Sequence, residues 1–111
     1  MKKTALIILL FILSSQVSAA PSGEDILIAC EDALVNGFKS TNGMMCIWYV
    51  TPCDCHYGDK ESVPHVCLPE NASHEALAKE VISGLKNSPD LQKQTAEMAA
   101  GIILAPKYPC H

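Results

Sequence analysis

All six cysteines of this 111-residue chain lie at or beyond position 30. They follow a stretch that reads as an export leader: Lys2 and Lys3 give it a positive start, Ala5 to Leu13 are nine consecutive apolar residues, and Val17-Ser18-Ala19 ends in the small residues signal peptidase accepts. Cleavage is expected after Ala19, leaving one domain over residues 20–111. Nine apolar residues fall far short of the roughly 20 a membrane-spanning helix needs, so no membrane anchor is expected. A domain this short buries only about 60 to 65% of its unfolded surface, and each disulfide adds roughly 2 to 4 kcal/mol. An even number of cysteines behind a leader therefore reads as an oxidised framework, with 15 possible connectivities.

Loss of Lys2 and Lys3 with the leader, and of no acid, takes the formal charge from −4 to −6. With no arginine and only dispersed lysines, the chain lacks the basic footprint of a nucleic-acid or anionic-membrane binder.

Helical signals run along the rest. Ser22 opens a first helix with Glu24 and Asp25 in its first turn, Asp25 at capping-box spacing, and Asn36-Gly37 closes it. Ile26, Leu27, Cys30, Ala33 and Leu34 recur at helical spacing and place Cys30 on the buried stripe. After a polar turn, Lys39 to Gly43, the apolar run Met44 to Val50 is read as a second helix, because no other strand candidate exists to pair with it; Pro52 ends it. Residues 53–72 show no period and read as an irregular, Cys-rich loop. Ser73, the last residue of an Asn71-Ala72-Ser73 sequon, caps a third helix with stripe Leu77, Val81, Ile82 and Leu85, a Glu75–Lys79 pair and a stop at Asn87. Ser88-Pro89-Asp90 starts a fourth, carried by Leu91, Thr95, Met98, Ala99, Ile102 and Ile103 to Ala105. The expected fold is all-α: a small four-helix, disulfide-stapled bundle with an irregular Cys-rich loop between helices two and three.

Chemistry is sparse. Cys53-x-Cys55-His56 and His65-x-Cys67 gather soft ligands for Zn or Cu(I), but they lack the Cys-x₂-Cys spacing of structural zinc sites, and exported thiols are usually consumed as disulfides. Cys-x-Cys beside Asp54 is unsuited to redox catalysis, since the carboxylate raises the thiol pKa. No hydrolase motif occurs, so no catalytic residue, metal or cofactor is assigned and the chain is not expected to be an enzyme. Met44, Met45, Trp48 and Tyr49, bracketing Cys46, are read as core. Two further classes stay open: an acid-stress chaperone, suggested by four His and twelve acids, and a small metal or lipid carrier, suggested by Cys-x-Cys.

Leu27-Ile28-Ala29-Cys30, Cys46-Ile47-Trp48-Tyr49-Val50, Val66-Cys67-Leu68-Pro69-Glu70 and the terminal Tyr108-Pro109-Cys110 together resemble the Rap/Tai family of periplasmic immunity proteins, which neutralise type VI secretion amidase effectors. Family members usually carry Cys-x-Gly-Tyr with another Gly four residues on; here those positions are Trp48 and Pro52, and Cys53 and Cys55 are additional. The resemblance implies a homodimeric, all-helical periplasmic inhibitor that blocks the cleft of a papain-like Cys-His peptidoglycan amidase. Beside it stand two expectations of our own: that Cys46 pairs with Cys67 and Cys30 with Cys110, leaving Cys53 and Cys55 unassigned, and that Tyr57, Asp59, Lys60, Glu61 and His65 of the preorganised loop contact the partner.

Overall fold

Ser22 decides where the first helix begins. Its hydroxyl accepts the Asp25 N–H (3.3 Å) while the Asp25 carboxylate accepts the Ser22 N–H (2.8 Å), a complete capping box that satisfies two groups the helix itself leaves unpaired. From there α1 runs Gly23–Asn36 and stops at Gly37, whose φ of 95° suits a residue without a Cβ. The computed structural model describes residues 20–51 and 64–110. After α1 come α2 (Thr41–Val50), α3 (His74–Asn87), a 3₁₀ turn (Pro89–Lys93) and α4 (Ala96–Leu104), so the described residues form four α-helices and no named strand.

α2 starts three residues earlier than its apolar run implied, because the Ser40 hydroxyl accepts the Gly43 N–H (3.0 Å) and converts the polar turn into a capped first turn. α3 begins as expected, with the Ser73 hydroxyl accepting the Ala76 N–H (3.1 Å), so the sequon serine is a cap. Glu75 and Lys79 pair across one turn at 3.0 Å.

The fourth helix differs from expectation. Pro89 opens a 3₁₀ turn, with the Leu91 N–H on the Ser88 carbonyl (2.9 Å), and the chain is then extended at Gln94 and Thr95 before Thr95 caps α4. A tertiary contact explains the break. The Gly23 N–H donates to the Gln94 carbonyl and the Ala96 N–H to the Pro21 carbonyl, both at 2.9 Å, pairing Ser22 with Thr95 as a single antiparallel bridge. Gln94 and Thr95, held extended here, cannot also turn within a helix, while Gly23 and Ala96 donate first-turn N–H groups that their own helices leave unpaired.

α1 lies at the centre, packed against α2, α3, α4 and the 3₁₀ turn. Ile26, Cys30 and Ala33 of α1 meet Cys46 and Val50 of α2, Leu77, Val81 and Leu85 of α3, and Ala96, Ala99, Ala100 and Leu104 of α4, all essentially excluded from solvent. Each larger side chain there contributes roughly 1.5 to 3 kcal/mol through burial. The small residues of α4 bring its backbone close to its neighbours.

Gly23 marks the tightest approach. A Cβ there would run into the Leu91 carbonyl oxygen and come within 3.0 Å of Gln92 Cα and Leu85 Cδ2. Gly23→Ala is therefore expected to destabilise by about 1 to 3 kcal/mol through overpacking, outweighing the at most about 1 kcal/mol that alanine's helix propensity returns. A lowered urea midpoint with unchanged m-value is the expected reading; an unchanged or raised midpoint would show that the 3₁₀ turn yields.

The bridges connect differently from expectation. Cys30 pairs with Cys46 and Cys67 with Cys110, each with a Cα–Cα distance of 5.0 Å, in place of Cys46–Cys67 and Cys30–Cys110. The stripe that buries Cys30 faces the inner side of α2, so Cys46 is its neighbour within the core. The tail folds back instead on the segment leading into α3, where the Cys67 N–H donates to the Tyr108 carbonyl (2.9 Å) and sets Cys110 beside Cys67. Cys53 and Cys55 lie outside the described residues.

Candidate functional site

The outer face of α2 carries the feature that the sequence reading placed in the core. Cys46 and Val50 are fully buried, whereas Met44 and Trp48 are 64% and 52% exposed. At about 100° per residue, position 48 lies about 200° from position 46, so burying Cys46 turns Trp48 outward. That offset was present in the sequence but was hidden by an apolar run filling both faces. Met45 and Tyr49 are half-buried against the core, as expected. Met44 and Trp48, one turn apart, form an apolar strip on a helix that the Cys30–Cys46 bridge fastens to the centre of the molecule.

This helix leads directly into the loop expected to contact a partner. Tyr57, Asp59, Lys60 and Glu61 lie outside the described residues. His65 is exposed where the chain resumes, two residues before Cys67. In sequence this segment is thus flanked by one cysteine fixed to α1 and another fixed to the tail. Cys67 is consumed by that second bridge, so the His65-x-Cys67 half of the metal reading has no thiolate to offer. Cys53, Cys55 and His56 fall outside the described residues. Among the described residues no group of three or more His, Cys, Asp or Glu is placed to hold a metal ion, and no helix is long and apolar enough to cross a membrane.

The tail that holds Cys67 is itself fastened to α3. The Tyr108 hydroxyl donates to Glu80 Oε1 (3.2 Å), and Lys107 Nζ approaches the same oxygen at 3.8 Å. Burial, then the hydrogen bond to Glu80 and its charge, raises the Tyr108 pKa above the usual phenol value. On α2, Tyr49 is shifted the same way, by burial and then by the charge of Glu97 on α4. A second apolar pair, Ile28 and Val35, stands 57% and 82% exposed two turns apart on α1.

The arrangement presents a binding surface: a helix with an aromatic and a thioether side chain facing outward, fastened to the core by one bridge and followed, beyond residues 52–63, by a second bridged cysteine. No curated protein and no solved structure matches the chain. The family model of the Rap1a immunity proteins matches residues 22–110, from the cap of α1 to the last bridged cysteine. The chain belongs to the Rap1a immunity protein family.

Proposed function

We propose that this immunity protein acts in the periplasm, after cleavage of residues 1–19, by binding and blocking a peptidoglycan amidase delivered by type VI secretion. It acts as an inhibitor and not as a catalyst. The observation that carries the contact reading is the exposed Met44–Trp48 strip on disulfide-fastened α2, adjoining in sequence the loop that holds Tyr57, Asp59, Lys60, Glu61 and His65. Tryptophan and methionine are enriched where protein partners meet, and a helix already fixed to its core loses little freedom on binding. In this reading Tyr57, Asp59, Lys60, Glu61 and His65 supply the polar contacts to the partner. The Ile28–Val35 face of α1 supports self-association as a homodimer through a separate surface.

Export and target are tested together. Cells that receive a Cys-His amidase in the periplasm are expected to survive when this protein is exported and to lyse when residues 1–19 are deleted. Equal survival of the two strains would refute the periplasmic site of action, and lysis of both would refute the amidase as target.

A further inference from the structure

The bridge between Ser22 and Thr95 lies beside the expected start of the mature chain. Pro21 gives its carbonyl to the Ala96 N–H at 2.9 Å, and the Ser22 N–H is held by the Asp25 carboxylate at 2.8 Å, so the backbone is tied down to within one residue of Ala20. The residue before a proline is restricted to extended conformations, which limits Ala20 further. Ala20 lines a small cavity of about 50 Å³ together with Pro21, Tyr49, Thr95, Ala96 and Glu97. Two titratable side chains face it, Tyr49 from α2 and Glu97 from α4. Of the first-turn acids of α1, Asp25 is turned toward the Ser22 N–H and Glu24 is exposed. The Glu97 charge also reaches Tyr49, where it adds to burial in raising the phenol's pKa.

Cleavage after Ala19 changes the chemistry at this spot. In the precursor the Ala20 nitrogen is a neutral amide; in the mature chain it is an α-ammonium. We propose that leader removal completes the fold: the new α-ammonium of Ala20 pairs with the Glu97 carboxylate at this cavity, so that processing and folding are coupled. The inference rests on cleavage after Ala19 and is independent of which effector the protein binds. A paired ammonium has a raised pKa in the folded state, so its contribution is fully present below the unfolded value of about 7.7 to 8.0 and is lost as pH rises through the folded value.

The test uses protein exported as the full chain and purified from the periplasm, with its first residue established by intact mass. Four forms are compared: wild type and Glu97→Gln, each with the Ala20 amine free or acetylated near pH 6.5, where the α-amine reacts ahead of the lysines. The amine of the wild type is expected to titrate about half a unit or more above that of Glu97→Gln. Acetylation is expected to lower the melting temperature of the wild type at pH 7 by about 1 to 3 °C, with the loss vanishing by about pH 9.5, and to leave Glu97→Gln unchanged. Equal amine pKa values, equal losses in both backgrounds, or a first residue other than Ala20 would each overturn the proposal.

Discussion

Replacing Cys30 and Cys46 together by alanine is expected to lower the melting temperature by roughly 15 to 30 °C. The bridge closes a segment of 16 residues, for which loop entropy alone gives about 3 kcal/mol. Both sulfurs are also fully buried between α1 and α2, so their removal leaves space in a close-packed core and adds roughly another 1 kcal/mol. A total near 4 kcal/mol is a large share of the roughly 5 to 15 kcal/mol that stabilises a small domain, and in a domain of this size each kcal/mol moves the midpoint about 4 to 8 °C. The same substitutions at Cys67 and Cys110 forfeit about 4 kcal/mol of loop entropy over 43 residues, but without a cavity, because both residues are exposed. The pairs separate by kinetics. Under a thiol reductant in native conditions, Cys67–Cys110 is expected to open first, while Cys30–Cys46 waits for global unfolding; peptide mapping after alkylation reads the order, and simultaneous opening would refute the distinction.

Trp48→Asp is expected to weaken effector binding by about 30-fold or more while leaving thermal stability within about 1 kcal/mol of wild type. Interface tryptophans commonly contribute 2 kcal/mol or more, and 1.4 kcal/mol is a factor of ten in affinity. With half its surface in water, Trp48 is not a core residue, and its exchange leaves the packing of Cys46 and Val50 intact. Titration calorimetry against the cognate effector, with a melting curve of the variant beside it, separates lost contact from lost fold. Unchanged affinity would remove α2 from the interface, and a collapsed melting curve would show that Trp48 serves the fold.

Local chemistry was the most legible layer of the sequence. Ser22, Gly37 and Ser73 mark helix ends by hydrogen bonds spanning three or four residues, and such signals do not depend on the rest of the molecule. The start of α4 was not legible in the same way. Ser88-Pro89-Asp90 is a sound helix start, and only the pairing of Gln94 and Ala96 with residues 21–23, some seventy positions away, prevents continuation. The bridges were misread for a related reason. Burial of Cys30 follows from periodicity, but which cysteine shares its side of the core depends on how α1 and α2 cross. The outward face of α2 was obscured because an apolar run carries no contrast between its two sides; the burial of Cys46 supplies that contrast.

The pairing of residues 21–23 with 94–96 also bears on when this protein can fold. The central helix α1 precedes α2, α3 and α4 in the chain, and its start is locked to the cap of α4. Contacts that close a chain end to end are slow to form and cannot form until the C-terminal segment has emerged. The start of α1 therefore stays unlocked until residues 94–96 have been made. The topology acts as a timer, postponing the native packing of α1 until the cap of α4 is in place.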